Sequence, residues 1–365
     1  MGNVYFYTGF PGFLARSLIR KMIDRIENVE HIYLLILPEM KKTAELEINQ
    51  ICTNKNISAN KFTLVSGDIT ATDLKIESNL NDRLKNSVTH VFHLAAVYDL
   101  AVKEEVAEAV NVTGTYNVNE WVKTLKQLKR YNYFSTAYVS GKREGKIYEN
   151  ELSMGQSFKN HYERTKYKAE ILVDELKSEV PLTIFRPGIV RGHSVTGETI
   201  KFDGPYFMLH ILHKFRHSPF VPQLSGGHVE GNFVPVDYVI DATTYLSHQD
   251  KGEGKTYHLT DPNPYKMSEV YTMLMQEYLG KTPKGKFPLQ LAHTALSSSV
   301  IRKWINVEKE ALDYFRCNAS YDTAETERDL KGSGINCPTF DETLQSMVQY
   351  YRENQQNKQL YIAIS

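Results

Sequence analysis

Apolar residues fall in short unbroken runs separated by amphipathic stretches, and the two kinds of segment alternate along the first half of the chain. Residues 3–7 are dominated by aromatic and β-branched side chains and contain no strong helix former, which predicts a buried strand. Phe13, Leu14, Leu18, Ile19, Met22, Ile23 and Ile26 then recur at helical spacing. Further strands are predicted over 31–37, stopped by Pro38, and over 62–65, 88–94, 131–136 and 182–185. Helical patterns fill 40–50, 103–128 and 158–177 between them. Strands that are apolar throughout, rather than alternating, belong in a sheet covered on both faces. The expected fold class is therefore α/β, a doubly wound parallel sheet.

The pattern changes after Val190. Residues 191–205 read as loop, and 231–237 and 255–260 as short returns to the sheet. From Met267 onward the chain is mostly helical, broken by turns at 280–285 and 332–338. This divides the chain into a nucleotide-binding core (1–190 with 231–260) and a smaller, mostly helical lobe (191–230 with 261–365) over the carboxyl ends of the strands, where such sheets bind ligands. The stretch 205–222, with Tyr206, Phe207, Leu209, Ile211, Leu212 and Phe215 beside Lys214 and Arg216, has three readings. It could be a substrate lid, a helix lying on a membrane surface, or plain core.

Composition narrows the function classes. Forty-three basic residues balance 43 acidic ones, so no broad positive field recruits nucleic acid. No apolar run approaches the ~20 residues of a transmembrane helix. The first strand starts almost at Met1, which leaves no room for a signal peptide and points to the cytoplasm. Cys52, Cys317 and Cys337 are widely spaced and odd in number, as reduced thiols would be. None has metal-ligand spacing, and the histidines form no HExxH-like cluster, so no metal is expected.

Thr8 to Ala15 reads T-G-x-x-G-x-x-A between a predicted strand and a predicted helix, the setting a dinucleotide fingerprint requires. Gly9 allows the tight turn, Gly12 lets the backbone approach a pyrophosphate, and the first amides of the helix face the phosphates. This is a Rossmann-type beginning. Tyr162 and Lys166 are spaced Y-x-x-x-K, one helical turn apart on one face. A cation there would favour the tyrosinate and move the phenol from ~10 towards neutrality, where it exchanges a proton with a substrate oxygen. The same spacing recurs at Tyr138 and Lys142, but Ser140-Gly141 between them argues against helical register. Thr136, at a strand end, offers a hydroxyl to the same oxygen, and alternation sends its neighbour Ser135 to the opposite face.

Taken together, the glycine turn, Gly67-Asp68-Ile69, His93-Leu-Ala-Ala96, Asn111-Val-Thr-Gly114, Ser135-Thr136, Tyr162-x-x-x-Lys166 and Arg186-Pro-Gly188 resemble the extended short-chain dehydrogenase/reductases, in their order. Gly12-Phe-Leu, His93-Leu-Ala-Ala-Val-Tyr98, Phe134-Ser-Thr-Ala-Tyr-Val-Ser, Arg186-Pro-Gly-Ile-Val190 and Asn232-Phe-Val-Pro-Val-Asp237 resemble the thioester-reductase, fatty acyl-CoA reductase and male sterility branch. The resemblance implies that Thr8, Gly9, Phe10, Gly12, Phe13 and Leu14 wrap the pyrophosphate, and that Asp68 and Ile69 flank the adenine. Leu94, Ala95 and Ala96 would line the ribose side, with Asn111 in the position of the family's helix asparagine or simply bonded to backbone. Lys166 would hold the nicotinamide ribose, and Pro187, Gly188, Ile189 and Val190 would close on the nicotinamide. The catalytic set implied is Thr136, Tyr162 and Lys166.

One departure bears on the cofactor. Many reductases of this branch carry an arginine just after the second strand, against the 2′-phosphate of NADPH, whereas here Leu37 stands there, followed by Pro38 and Glu39. Arg16, Lys41 and Lys42 supply charge nearby. NADP is the expected cofactor on resemblance, with NAD possible. The activity implied is NAD(P)H-dependent reduction of an acyl thioester, on coenzyme A or a carrier protein, to aldehyde or alcohol. The rivals are a ketone or aldehyde reductase, a nucleotide-sugar epimerase or dehydratase, and a cofactor-binding regulator without turnover.

Overall fold

Seven parallel strands run through the molecule: β1 (Asn3–Thr8), β2 (Val29–Ile36), β3 (Phe62–Ser66), β4 (His90–His93), β5 (Arg130–Phe134), β6 (Leu182–Pro187) and β7 (Thr256–Leu259). This is a computed structural model, which describes residues 2–98, 102–224, 228–315 and 318–362. The spatial order is β7-β6-β5-β4-β1-β2-β3. The direction of winding reverses between β1 and β4, whose pairing sets Tyr5 against His90 and Tyr7 against Phe92. A doubly wound sheet opens its ligand crevice at the carboxyl ends of such a pair.

Helices cover both faces. On one, α1 (Phe13–Arg25) packs Leu18, Ile19 and Met22 against Tyr5, Tyr7 and Phe92, beside α2 (Lys41–Lys55). On the other, α3 (Ser78–Ser87), α4 (Gly114–Val122) and α5 (His161–Asp174) bury Leu84, Trp121 and Val173 against Phe6, Val91 and Tyr131. Tyr5 and Tyr7 thus serve one core and Val4 and Phe6 the other, the alternation a central strand imposes. The helical pattern predicted over 103–128 is interrupted: Glu108–Thr113 forms a π-helical turn just before α4.

The two expected returns to the sheet behave differently. β7 joins the central sheet beside β6. Phe233–Pro235 pairs instead with Ile189–Arg191 in a separate two-stranded ribbon, which corrects the expectation for 231–237. A strand that follows Pro187 and Gly188 has already turned out of the sheet, and it carries its partner with it.

Further helices are α6 (Tyr206–Lys214), α7 (Val236–Leu246), α8 (Met267–Leu279), α9 (Leu289–Ala295), α10 (Ser299–Ile305), α11 (Ala324–Leu330) and α12 (Leu344–Asn354), besides a single turn at Glu104–Ala107. α7 packs on the sheet with α1, whereas Tyr206, Leu209 and Leu212 of α6 form a second core with Val270, Leu274, Val348 and Tyr351. Tyr206, Phe207, Met208, Leu209, His210 and Leu212 are all buried, so α6 is core, and neither a lid nor a membrane-surface helix. No helix among the described residues is long and apolar enough to cross a membrane.

Candidate active site

β1 delivers the chain to the crevice at Thr8, and Gly9 turns it with a φ of +84°. A Cβ on Gly9 would lie 2.7 Å from the backbone nitrogen of Ala95, so only glycine lets the turn pass the loop after β4. Gly12 N–H donates to the Gly9 carbonyl at 2.8 Å, and a Cβ on Gly12 would stand 2.6 Å from that same oxygen. α1 opens at the next residue with no side-chain cap and no acidic residue in its first turn. Its first amides are therefore left for an anion, and the residues present fit a dinucleotide pyrophosphate. Phe10 is buried in the sheet core, and Phe13 and Leu14 pack against it.

Thr8 also fixes the far wall. Ala95 N–H donates to Thr8 Oγ1 at 3.1 Å, and the same hydroxyl is hydrogen-bonded to His93 Nδ1 at 2.7 Å. The other ring nitrogen, Nε2, is hydrogen-bonded to Thr115 Oγ1 at 3.1 Å. Burial, aided by the charge of Lys166, pushes His93 down to about 3 and keeps it neutral. Leu94, Ala95 and Ala96 follow as a loop, and Asn111 clamps the residue after them. Asn111 accepts from Val97 N (2.8 Å) and donates to Val97 O (3.1 Å) and to Thr165 Oγ1 (3.0 Å) on α5. The backbone-bonded reading of Asn111 is what the contacts show: it holds Val97 by its backbone and α5 by the Thr165 hydroxyl.

On the β2–β3 side, Asp68 is engaged with its own turn, accepting from Thr70 N (2.9 Å) and Thr70 Oγ1 (2.8 Å). The Ile69 side chain is buried, and its carbonyl accepts from Asn117 at 2.8 Å. Arg16 is ion-paired with Glu47 of α2 at 2.6 Å. Leu37, Glu39, Lys41 and Lys42 are exposed. On the opposite side Gly188 N–H donates to Leu259 O (3.1 Å) and Ile189 N–H to Asn232 O (2.9 Å), so the Pro187–Val190 segment is held by β7 and by the two-stranded ribbon.

Thr136 leaves β5 in an extended conformation and starts a short 3-10 turn, Ala137–Ser140. Its hydroxyl accepts from Tyr138 N–H at 3.3 Å and lies near enough to Tyr162, the second residue of α5, to lower that phenol's pKa. Ser135 points the other way, donating to Glu170, as strand alternation required. Tyr138 and Lys142 do not share a helix: the turn ends at Gly141, whose φ is +62°. Tyr138 instead stacks edge-on against Tyr314 of the second lobe, ring centroids 5.0 Å apart.

The electrostatics differ from the expectation. Burial pushes the Tyr162 phenol up to about 12, and the nearby Thr136 hydroxyl opposes this only in part. The Lys166 ammonium donates to Tyr133 Oη (2.9 Å) and the Phe134 carbonyl (2.7 Å), and so is committed to β5. Burial drops Lys166 itself from 10.5 to about 7, with Glu170 pulling back. The phenol is thus held in its acid form, and it is the lysine that lies near neutrality.

Beneath these groups lies a pair that motif reading passed over. Glu170, fully buried, accepts from Arg186 Nε (2.8 Å) and Nη2 (2.6 Å) and from Ser135. Arg186 also donates to the Glu149 carbonyl at 3.1 Å. The Glu149 carboxylate in turn accepts from His258 N (2.9 Å) and Glu325 N (2.7 Å), joining β7 to the start of α11. The sequence held a signal for Glu170, since Tyr162, Lys166 and Glu170 repeat at four-residue spacing on one helix face. Glu149, Tyr133 and Tyr314 had none, because their partners are remote in sequence, and His93 reads only as the start of a family motif.

Residues 7–243 match the male sterility protein family, an NAD-binding family. The chain belongs to it. Among relatives, it is 27% identical over 302 residues to the non-canonical nonribosomal peptide synthetase cpsA of Aspergillus campestris, covering 78% of this chain but only 28% of that protein. It is 25% identical over 347 residues to the alcohol-forming fatty acyl-CoA reductase of Simmondsia chinensis, covering 76% of this chain and 70% of the relative. Its fold superposes on the terminal R domain from the myxalamid biosynthetic pathway with a TM-score of 0.82 at 24% identity, over 97% of this chain and 91% of the other. The Rossmann-type core and the branch read from the motifs are thereby established, and the family calls for a nicotinamide dinucleotide. The glycine cradle described above fits one.

Proposed function

We propose that the chain reduces an acyl thioester, borne on coenzyme A or on a carrier protein, to the aldehyde, and to the alcohol where a second hydride follows, with NADPH as reductant. The Thr136 and Tyr162 hydroxyls carry this reading: Thr136 follows β5 with Tyr162 near it, at the same carboxyl edge of the parallel sheet as the glycine cradle that follows β1. The fatty acyl-CoA reductases among the relatives supply the substrate class. NADPH is favoured over NADH on the resemblance to this branch, although Leu37 stands where many members carry an arginine and the nearby Glu39 would suit the free ribose hydroxyls of NADH. Lys41 and Lys42, exposed in the first turn of α2, offer charge to a 2′-phosphate.

Gly9, Gly12 and the first amides of α1 hold the pyrophosphate, while Asn111 and Thr8 keep the facing loop in place. A bound reduced nicotinamide supplies a hydride to the thioester carbonyl carbon. Thr136 and Tyr162 bind the carbonyl oxygen, and Tyr162, whose raised pKa keeps its proton at neutral pH, donates that proton as the oxygen gains charge. Breakage of the carbon–sulfur bond re-forms the carbonyl of the aldehyde as the hydroxyl proton leaves the oxygen and passes to the departing thiolate, and Tyr162 regains its proton from solvent. Lys166, titrating near 7, sits one turn from Tyr162 to hold positive charge beside the reaction. The enzyme works in the cytoplasm on this reading.

NADPH consumption should be followed against a panel of acyl-CoAs, simple aldehydes and UDP-sugars, with free thiol measured in parallel. Thiol release matched to NADPH oxidation is the expected result. Turnover of aldehydes alone, or interconversion of UDP-sugars without net oxidation, would replace this reading with one of its rivals. Tyr162→Phe should lower turnover by about 10²–10⁴ with nucleotide affinity little changed.

A further inference from the structure

The charge balance of the whole chain conceals a local imbalance. No aspartate or glutamate occurs between Asp203 and Glu230, nor between Glu277 and Glu308. Those two segments carry Lys214, Arg216, Lys281, Lys284, Lys286 and Lys303, and none of the six has an ion pair among the described residues. Arg302, in the same region, turns inward to Glu308 and to the carbonyls of Leu296 and Ser297.

The fold brings the two segments together. Lys286–Phe287 pairs with Gln223–Leu224, and Lys281 Nζ donates to the carbonyls of Arg216 (2.9 Å) and Ser218 (3.0 Å). The Phe220 ring packs over Gly285. Trp304 of α10 meets Phe215, at the end of α6, edge-on with centroids 6.1 Å apart, and Lys214 Nζ lies 5.6 Å over the indole.

In these two segments Phe215, Phe220, Phe287, Leu291, Val300 and Trp304 are exposed, Val300 by 75%, Phe220 by 54% and Trp304 by 52%. Every exposed phenylalanine and tryptophan among the described residues lies here. Phe220 lies in the loop after α6, between Pro219 and Pro222. Exposed bulky rings and ammonium groups, from two segments that themselves hold no acid, match the interfacial zone of a bilayer whose headgroups are anionic.

We propose that this face of the second lobe docks on an anionic lipid surface, with Phe220 and Trp304 entering the headgroup layer and the lysines lying against the phosphates. The proposal is independent of the catalytic assignment, since none of these residues belongs to the crevice. α6 itself stays in the core, so docking needs no unfolding of the lobe. An acidic protein domain is the competing occupant.

The full chain should be mixed with vesicles of phosphatidylcholine alone and of phosphatidylcholine with roughly one third phosphatidylserine, and sedimented. Binding to the second kind only, weakened by raised salt, is expected. Trp304 reports entry directly, because the other tryptophan, Trp121, is buried: emission should shift to the blue on binding. In K284E/K286E each reversed charge should weaken binding at least about fivefold, and Phe220→Ser should abolish the blue shift. Circular dichroism and consumption of NADPH with a short soluble thioester should be unchanged in both variants. Failure to bind anionic vesicles overturns the proposal, as does binding that survives both variants. Capture of an acidic carrier domain through these same residues, without vesicle binding, would reassign the face to a protein.

Discussion

Glu170→Gln tests whether the buried pair beneath the crevice organises it. The substitution keeps shape and removes one charge, and it leaves the Arg186 guanidinium, 2% exposed, without a counter-charge. Breaking a buried pair from one side costs about 3–5 kcal/mol, most of it the penalty of the stranded ion. Unfolding entropy scales at about 2.1 cal/mol/K per residue, so over 365 residues the melting temperature should fall by about 4–7 °C. Thermal melts by circular dichroism should be paired with urea titrations, since a chain with two cores need not unfold in one step. Arg186→Met in the same chain removes the stranded charge, and the double variant should recover at least half of the loss. The substitution also reaches the site chemistry. Glu170 is the charge that works against the burial of Lys166, so without it the lysine titrates lower still. The alkaline limb of the turnover profile should then move to lower pH. A fall under about 1 °C, or a double variant as unstable as the single one, would refute the assignment of the pair.

Other outcomes follow from single contacts. Gly9→Ala places a Cβ 2.7 Å from Ala95 N at a φ of +84°, and should weaken dinucleotide binding at least about tenfold, measured by calorimetric titration. Lys166 binds its proton less well folded than unfolded, so its share of stability should rise with pH from about 7 to about 10, and Lys166→Met should flatten that slope in pH-resolved melts. Tyr138→Phe keeps the edge-on contact with Tyr314, so turnover should change by less than about threefold; a large loss would move the proton donor to Tyr138.

How far the sequence reaches depends on the range of the interaction. β1, Gly9, Gly12 and α1 were legible because strand pattern, turn chemistry and helical spacing are local, and the same holds for the refusal of Tyr138 and Lys142 to share a helix. The opposite facing of Ser135 and Thr136 follows from alternation alone. The π-helical turn at Glu108–Thr113 was not legible, nor was the departure of Phe233–Pro235 from the central sheet, because each is set by what packs against it. The same limit separates identity from ionisation at the site. Tyr162 and Lys166 announce themselves by spacing, yet their proton affinities came out reversed from what spacing implied, since desolvation is a property of the assembled core.

Residues near one another in the chain thus determined the parallel α/β core, the dinucleotide cradle and the identity of the candidate proton donor. Only the tertiary structure decided that Lys166 faces Tyr133 and Phe134, that Glu170 and Arg186 underlie the crevice, and that two acid-free segments meet on one face. Backbone pattern is written residue by residue, whereas burial, charge pairing and exposed surface exist only once distant segments have packed.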